Sequence, residues 1–453
     1  MDRAVTPEEA AARVEATDTL GLGLGTGMPP RFLEALGKRT DWERLRISGA
    51  FLGVLSDVFL HPNVHFLSSF FGPLERILRD SGANIGFAPA DYRRFARMLH
   101  DQHPRVVATA ASPPDADGWC SLSLHAGHTV ADLHAAGADP DRLLVVEAGA
   151  GFPRTRGLPP DHPHALHVDE IDVLVESDGA PLPLPEAIPD PVDGAIAANV
   201  VALIPDGATL QTGIGTIPSA IVSLLARGDG GGYGVHSEMF TTGLMELHRA
   251  GKVTNRKGQF DGVSVATFAG GTRELYDWLD GNDEVAFLPV DVVNSPATIR
   301  HNRAMVTING AMAIDIHGQV VADTIDGRQY SGIGGHEDFV SGPALSFDAR
   351  SVLCLRSTLV VDGELRSRIV PWFDAGAVIT TPRHQVDTIV TEHGVAELQG
   401  KTAHQRGLAL AAVAHPDFRG QLLDAAARTT HGNSAFALGE AASPPPTAPP
   451  EPR

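Results

Sequence analysis

The segment "YGVHSEMFTTG" (233–243) places a single carboxylate, Glu238, in a short apolar stretch with small hydroxyl residues and glycines. A carboxylate in such surroundings can be a surface charge, a helix cap, or a nucleophile that forms a covalent intermediate. By residue type alone the first two roles are commoner, because acidic side chains are mostly exposed. The segment by itself therefore leaves the role of Glu238 open.

Two glycine-rich segments could offer backbone N–H groups to an anion or a developing oxyanion. In "QTGIGTIPSAI" (211–221), the pattern predicts a strand, a glycine turn and a helix that begins near Pro218. It lacks the third glycine of a dinucleotide fingerprint, and glycines in such turns often have only a steric role. In "YSGIGGHEDFVSG" (330–342), bulky residues accompany four glycines, which indicates close backbone approach rather than a flexible linker.

Other candidate arrangements are weaker. The histidine groups "HPNVH" (61–65) and "DHPHALH" (161–167) contain prolines and have no zincin pattern or cysteine ligands, so we interpret them as loop histidines rather than a metal site. The sequence has no G-x-S-x-G elbow, and Ser219 falls inside the predicted helix after Pro218. A Ser-His-Asp hydrolase is therefore unsupported.

Short apolar strands alternating with helical stretches must position these residues, a pattern typical of α/β layers. The segment "TPEEAAARV" predicts a helix capped by Thr6, and "RVVATAASPPDADGWCSLS" predicts a strand, a turn and a strand. The pattern restarts after the five prolines of 178–192, and "ATLQTGIGTIPSAIVSLLAR" parallels "LGLGLGTGMPPRFLEAL" of the first half. The sequence thus predicts two α/β halves of similar build.

The predicted organisation is an N-terminal α/β domain over 1–180, a proline-rich linker over 181–192, and a C-terminal α/β domain over 193–440 that carries Glu238. The last predicted helix is "TAHQRGLALAAVA" (402–414). The proline-rich segment 441–453 has a composition that favours a disordered tail.

Composition excludes several classes of function. The 453 residues are 43% hydrophobic and carry a formal charge of −20, which favours a globular protein that repels nucleic acid and anionic membranes. Two cysteines fit a reducing compartment. The polar N-terminus is no signal peptide, and the uncharged run 207–226 is too interrupted to span a bilayer. We therefore predict a cytoplasmic protein.

Together these segments resemble the acetyl-CoA hydrolase/transferase family, class I CoA-transferases of the 4-hydroxybutyrate or acetate type. The similar motifs follow in one order over about residues 10–425: "DGATLQTGIGTIPSAI", "GVHSEMFTTG", "VDVVNSPATI", "VTINGAMAIDIHGQV", "YSGIGGHEDFVSG", "SRIVP", "VTEHGVAELQGKTAHQRG" and "AHPDFR". The first half is less similar, with "SPPDADGWCSLS" and "FPRTRG" its clearest pieces. The resemblance implies two similar open α/β domains with the active site between them. His336 departs from the family's usual Gln, which could alter the substrate pocket.

The resemblance implies that Glu238 is the nucleophile, which takes CoA from an acyl-CoA as a glutamyl-CoA thioester and passes it to a second carboxylic acid. With a pKa near ~4.3, such a carboxylate would be ionised at neutral pH and need no general base. No metal or redox cofactor is required, because coenzyme A is itself a substrate. The expected donor is a short-chain acyl-CoA such as acetyl-CoA, the acceptor acid stays open, and the family suggests a homodimer or higher homo-oligomer.

By the same resemblance, the N–H groups of Ile214 and Gly335 belong to the oxyanion site and Asn294 holds the substrate carbonyl, with a turn-forming role as the alternative for Asn294. The predicted CoA-binding set covers both glycine loops and their neighbours: Gly213, Ile214, Gly215, Thr216, Ile217, Met312, Ser331, Gly334 and Gly335. The basic cluster of 248–259, with Lys401 and Arg406, could bind CoA phosphates, although a solvated basic loop is the favoured interpretation.

Two rival functions stay open on the sequence. An acyl-CoA hydrolase would use the same Glu238 but resolve the intermediate with water, and a CoA-binding protein would have lost turnover. A carboxylate acceptor that is required for loss of the thioester would favour the transferase.

Overall fold

The computed structural model describes residues 4–186 and 188–429, which form two α/β halves. The strands of the first half are β1 (Ala4–Val5), β2 (Thr17–Leu24), β3 (Arg44–Ala50), β4 (Val64–Ser68), β5 (Ile85–Phe87), β6 (Val106–Ala111), β7 (Trp119–Ser121), β8 (Leu143–Gly149), β9 (Ala165–His167) and β10 (Val173–Ser177). Its helices are α1 (Pro7–Ala11), α2 (Pro30–Gly37), α3 (Pro73–Asp80), α4 (Phe95–Gln102) and α5 (Val130–Gly137).

Eight of these strands form one parallel sheet in the order β1, β10, β8, β6, β2, β3, β4, β5. The central strand β6 has the sequence VVATAA, and all six residues are buried, as expected of a parallel strand covered on both faces. The predicted strand at 119–121 forms, but it pairs antiparallel with β9 outside the main sheet. It therefore folds over the sheet instead of extending it.

The second half contains more and shorter elements. Its strands are β11 (Thr209–Thr212), β12 (Gly234–Val235), β13 (Met239–Phe240), β14 (Ser264–Ala266), β15 (Phe268–Ala269), β16 (Val285–Phe287), β17 (Met305–Gly310), β18 (Ala313–Asp315), β19 (Val320–Val321), β20 (Thr324–Ile325), β21 (Arg328–Gln329), β22 (Arg350–Cys354), β23 (Thr358–Val361), β24 (Glu364–Ser367), β25 (Ile369–Val370), β26 (Thr388–Thr391) and β27 (Gly394–Glu397). Its helices are α6 (Pro191–Val201), α7 (Thr216–Arg227), α8 (Thr242–Arg249), α9 (Arg273–Leu279), α10 (Val290–Val293), α11 (Pro296–Ile299), α12 (His336–Ser341), α13 (Ala403–Ala412) and α14 (Arg419–Arg428).

The main sheet of this half has the order β12, β11, β17, β22, β26, β27 and is parallel except for the last pair. One core cluster joins the halves, because Leu144 and Val146 of β8 belong to the same buried group as Ile196 and Val200 of α6. The α/β fold class with parallel sheets, predicted from the alternating pattern, is confirmed.

Helix ends follow local sequence rules. Thr6 and Glu9 form a capping box at α1, and Pro7 is its first residue, as predicted. Asp190 caps α6 at Pro191, so this helix begins inside the segment we interpret as a linker. The helix α14 follows α13, so the predicted helix at 402–414 is not the last one of the described chain.

The predicted tail (441–453) lies outside the described residues. Both cysteines, Cys120 and Cys354, are buried and unpaired. Within 4–186 and 188–429, no helix combines the length and apolar character needed to cross a bilayer.

Candidate active site

A cavity of about 290 Å³ lies where the two halves meet. The first half contributes five apolar or aromatic residues, and the second half contributes both glycine loops and Glu238. The lining residues are Leu24, Phe51, Phe70, Tyr92, Phe95, Gln211, Thr212, Gly213, Ile214, Glu238, Met239, Phe268, Asn309, Gly310, Ala322, Ser331, Gly332, Ile333, Gly334, Gly335, His336 and Phe339.

Glu238 is held by its backbone between two short strands. Its carbonyl oxygen accepts hydrogen bonds from the N–H groups of Thr267 at 2.9 Å and Phe268 at 3.3 Å. The preceding Ser237 donates from its N–H to the carbonyl of Val265 at 3.0 Å, and from its hydroxyl to the carbonyl of Thr212 at 3.2 Å. These bonds fix the backbone on both sides of Glu238 at the cavity wall.

The Glu238 carboxyl is bound by one amide. Asn294, fully buried at the end of α10, donates from Nδ2 to Glu238 Oε2 at 2.7 Å and to Asp338 Oδ2 at 2.8 Å. Burial raises the pKa of Glu238 to about 8, the negative charge of Asp338 adds to this, and the hydrogen bond from Asn294 opposes it. The expected pKa near that of a free glutamate is therefore wrong, because local sequence does not show that Glu238 is buried or that Asp338 lies close to it.

An ion pair between the halves supports this amide. The guanidinium of Arg93, in the first half, binds both Asp338 of α12 and Asp91, the latter at 2.7 Å. Burial raises the pKa of Asp338 to about 6, although Asn294 and Arg93 both favour its ionised form. Arg93 thus links the first half to Asp338, the carboxylate that shares Asn294 with Glu238.

Gly335 brings its backbone against the carboxyl of Glu238. It is the N-cap of α12, and a Cβ atom added there would lie 1.9 Å from Glu238 Oε2. In the first glycine loop, Gly215 caps α7 with a φ of +123°, a conformation that only glycine adopts without strain. The neighbouring Ile214 is half exposed and lines the cavity. Gly335 therefore leaves no room for a side chain beside Glu238, whereas Gly215 is required by its backbone conformation.

The second glycine loop is anchored on the first half. The Tyr92 N–H donates to the Gly334 carbonyl at 2.9 Å, and Arg79 donates to the carbonyl of Gln329 at 2.7 Å. The guanidinium of Arg76 lies 4.2 Å from the ring centre of Tyr330. These contacts attach the loop to the first half, which supplies the aromatic wall of the cavity (Phe51, Phe70, Tyr92 and Phe95).

The structure gathers many of the predicted site residues. Six line the cavity: Gly213, Ile214, Glu238, Ser331, Gly334 and Gly335. Asn294 lies behind Glu238 and contacts it directly. The remaining four do not line this cavity: Gly215, Thr216 and Ile217 form the start of α7, and Met312 lines a separate cavity of about 620 Å³.

The cavity wall from the first half and the groups behind Glu238 were not predicted from the sequence. Asp338 could have been found, because it belongs to the second glycine segment. Arg93 and Tyr92 carry no local signal, since they reach the site only through contacts between the halves.

Several of the basic residues considered for binding CoA phosphates make other contacts. Lys257 is fully buried, donates to the carbonyls of Gln259 and Phe260, and has its pKa lowered to about 7 by burial. Arg249 pairs with Glu246 and Glu274 on the surface. These contacts support structural roles.

Lys401 and Arg406 also donate to backbone carbonyls, Lys401 to that of Glu397 and Arg406 to that of Val386 among others. Neither lines the cavity around Glu238. Within the described part of the chain, no group of three or more His, Cys, Asp or Glu side chains is placed to hold a metal ion.

His336 lies in the cavity wall and contacts Thr381, with Nε2 2.8 Å from Oγ1. Burial lowers the pKa of His336 to about 4, so the ring is neutral at physiological pH. Histidine in place of the family's usual Gln thus puts an uncharged ring in the wall of the cavity.

Comparison with known proteins gives a consistent result. Residues 271–426 match the family model described as the acetyl-CoA hydrolase/transferase C-terminal domain. The 4-hydroxybutyrate coenzyme A transferase of Clostridium kluyveri is 34% identical over 430 residues, which are 93% of this chain and 97% of that protein. The succinyl-CoA:cyclohexane-1-carboxylate CoA transferase of Geobacter metallireducens is 35% identical over 435 residues, 93% and 94% of the two chains. The crystal structure of RipA from Yersinia pestis matches with a TM-score of 0.86 and 31% identity, over 94% of this chain and 98% of that one.

Proposed function

The chain belongs to the acetyl-CoA hydrolase/transferase family, and from this premise we propose that it moves coenzyme A between a short-chain acyl-CoA and a carboxylic acid through a thioester on Glu238. The expected donor is acetyl-CoA. The observation that carries the proposal is the Glu238 carboxyl in the cavity wall, against the backbone of Gly335 and in the hydrogen bond from Asn294.

The reaction requires only carboxylate and thiolate chemistry. The ionised Glu238 attacks the acyl carbonyl carbon, the C–S bond breaks, and CoA leaves as a thiolate from a mixed anhydride. The thiolate attacks the glutamyl carbonyl carbon, the C–O bond breaks, and the first carboxylate departs. A second carboxylate reverses these steps and leaves as the new acyl-CoA.

Negative charge develops on a carbonyl oxygen in each step, and preorganised donors stabilise it. The Asn294 N–H already bonds Glu238 Oε2, so it can stay on that oxygen when this becomes the glutamyl carbonyl. The N–H groups of Gly335 and Ile214 are the further proposed donors. One such donor is typically worth about 10²–10³ in rate.

The raised pKa of Glu238 has opposite effects on the attack. A value of about 8 leaves about a tenth of the side chains ionised at pH 7. The ionised fraction is poorly solvated and more basic than an ordinary carboxylate, which favours attack on a thioester. Burial therefore makes the ionised form of Glu238 less abundant but more reactive.

The hydrolase is the second candidate, because the matching family model covers hydrolases as well as transferases. It would use Glu238 in the same way, with water in place of the second acid. The apolar first-half wall favours the transferase, since it leaves little to bind a water for attack.

The test is an exchange assay with acetyl-CoA, with and without propanoate, in which acyl-CoA products and free thiol are both measured. We expect propanoyl-CoA only with propanoate, and little thiol release without it. Steady thiol release without acceptor would establish the hydrolase. Neither product from wild type would contradict both enzymes and favour a CoA-binding protein. The Glu238→Gln variant is the control and should form neither product.

A further inference from the structure

One face of the first-half sheet is exposed over part of its area. The strands β2, β3, β4 and β5 form a groove of about 830 Å³ on this face, and Gln102, the last residue of α4, and Pro104 also line it. The opposite face carries Leu45, Ile47 and Phe66, which are buried in the core. Parallel sheets are usually covered on both faces, so the open area calls for an explanation.

The groove presents two arginines that have no partner. Arg44, Arg46 and Ser48 alternate with the buried residues of β3, so their side chains lie on the open face. His65 of β4 stands opposite Arg46 in the register of the two strands. The side chains of Arg44 and Arg46 are exposed and make no hydrogen bond or ion pair with the rest of the described chain. Their guanidinium groups are therefore free to bind a ligand.

The charge of the groove is opposite to that of the whole chain. Its described lining contains no Asp or Glu, although the chain carries a formal charge of −20. Two acidic residues of the same strand region make other contacts, since Asp18 pairs with Arg105 and Glu43 accepts a hydrogen bond from the Thr17 hydroxyl at 3.4 Å. A concave surface with two free arginines and no acid attracts anions, and guanidinium groups match the oxygens of a phosphate.

The rest of the lining suits an uncharged organic group. Leu67 of β4 stands opposite Gly86 of β5, so an apolar side chain lies beside a position without one. The amide oxygen of Gln102 accepts a hydrogen bond from the Ser48 hydroxyl, which leaves its N–H groups available at the rim. The volume lies within the roughly 300–1,000 Å³ of small-molecule sites. A free phosphate would fill only a small part of it, whereas a nucleotide has both the phosphates and the flat organic group.

The groove is separate from the cavity around Glu238, although the same strands lead to both. Arg46 lies in the middle of β3, and Phe51, which lines the catalytic cavity, follows the end of that strand. Five residues of a strand span roughly 16 Å. None of the described residues that line the groove also lines the cavity.

We propose that this groove is a second ligand site that binds a nucleotide, with its phosphates on Arg44 and Arg46 and its base against Leu67. The inference goes beyond the proposed function, because nucleotide binding here depends neither on Glu238 nor on turnover. The two can therefore fail independently.

The first test is isothermal titration calorimetry of the full chain with ADP and with inorganic phosphate. We expect one ADP per chain, and phosphate binding at least about tenfold weaker because it leaves the apolar part of the groove empty. ADP binding should weaken between about 50 mM and about 300 mM NaCl, since it depends on exposed charges. No binding of ADP, or phosphate binding as tight as that of ADP, would overturn the proposal.

The Arg46→Gln variant locates the bound nucleotide. Its dissociation constant for ADP should rise at least about tenfold, because charge-assisted hydrogen bonds to phosphate are lost. Its melting temperature should stay at the wild-type value, since the exposed side chain has no partner to lose. Arg300→Gln is the matched control: Arg300 is also exposed and without a partner in the described chain, but it lies outside the groove. It should bind ADP as wild type does.

Two other results would assign the ligand or the groove differently. ADP binding that saturating coenzyme A abolishes, and that Arg46→Gln leaves unchanged, would place the nucleotide in the catalytic cavity and overturn the proposal. Sedimentation of both proteins tests whether a second copy covers this face. A wild-type dimer that Arg46→Gln dissociates would make the groove a subunit interface, which also contradicts a nucleotide site.

Discussion

Asn294 donates a hydrogen bond of 2.7 Å to Oε2 of Glu238, and its other N–H is engaged by Asp338 at 2.8 Å. Both donors of the amide are therefore used before substrate binds, and its oxygen has no partner among the described residues. The resemblance predicts that Asn294 holds the substrate carbonyl, but in this state the amide has no N–H left to donate to one. In the proposed reaction, the amide instead holds the Glu238 carboxyl oxygen that would become the glutamyl carbonyl.

The first prediction concerns this hydrogen bond. Asn294→Ala should raise the pKa of Glu238 above about 8, because the amide is the group that favours the ionised form. Formation of the CoA adduct should slow by about 10²-fold, with a larger loss at pH 6.5 than at pH 9.5. Rapid-quench mass spectrometry across pH measures both effects.

Asn302→Ala is the control for that experiment. Asn302 is also a buried asparagine whose amide donates only to the backbone carbonyls of Thr298 and Ile299. It should lose stability but keep the wild-type pH profile. Equal losses for Asn294→Ala at both pH values would contradict an effect through the Glu238 pKa.

The second prediction is the pH dependence itself. The nucleophile must be ionised, so the rate of adduct formation should rise with pH and level off above the pKa of about 8. In Asp338→Asn, the negative charge that raises this pKa is removed, and the midpoint should move to lower pH. A wild-type midpoint below pH 6 would contradict the assigned electrostatics.

The third prediction concerns the close approach of Gly335. Gly335→Ala places a Cβ 1.9 Å from Glu238 Oε2, so the carboxyl or the loop must move. Adduct formation should fall by roughly 10²-fold or more, since small displacements of reacting groups have such effects. Gly194→Ala in α6 is the control, with no atom within 4 Å of the added Cβ. It should gain about 0.5–1 kcal/mol of stability and keep full activity. Near-normal activity of Gly335→Ala would contradict the geometry.

The fourth prediction concerns stability. A carboxyl whose pKa is raised in the folded state stabilises the fold below its unfolded pKa of about 4.5, and this contribution is lost as pH rises through about 8. Glu238→Gln cannot ionise and should escape this loss. Its melting temperature should exceed that of wild type by roughly 1–3 °C at pH 9, with a smaller difference at pH 5. Calorimetry at the two pH values measures the gap, and a gap that narrows with rising pH would refute the raised pKa.

Local sequence was enough for many of these elements and for the candidate nucleophile. Some features depend only on residues that are close in the sequence, so local patterns predict them. Examples are the capping box of Thr6 and Glu9, and the strand, glycine turn and helix over 209–227. The ordered family motifs identified Glu238 and both glycine loops. These loops line the cavity together with Glu238.

The raised pKa of Glu238 and the aromatic wall of the cavity could not be predicted from local sequence. The pKa of Glu238 depends on burial and on Asp338, and the aromatic wall depends on Tyr92 and Phe70 meeting a loop near residue 334. Such contacts join residues far apart in the chain, and no periodic pattern encodes them. The antiparallel pairing of β7 with β9 outside the main sheet was not predicted for the same reason.

The central claim is that coenzyme A becomes attached to Glu238. The most direct measurement is to incubate the protein with acetyl-CoA alone, digest it, and map the CoA adduct by peptide mass spectrometry, with and without borohydride. We predict CoA on the peptide that contains Glu238, and conversion of that side chain to the alcohol by borohydride, which reduces a thioester but not a free carboxyl. Turnover of acetyl-CoA with a carboxylic acid, but no adduct and no reduction at Glu238, would contradict the account.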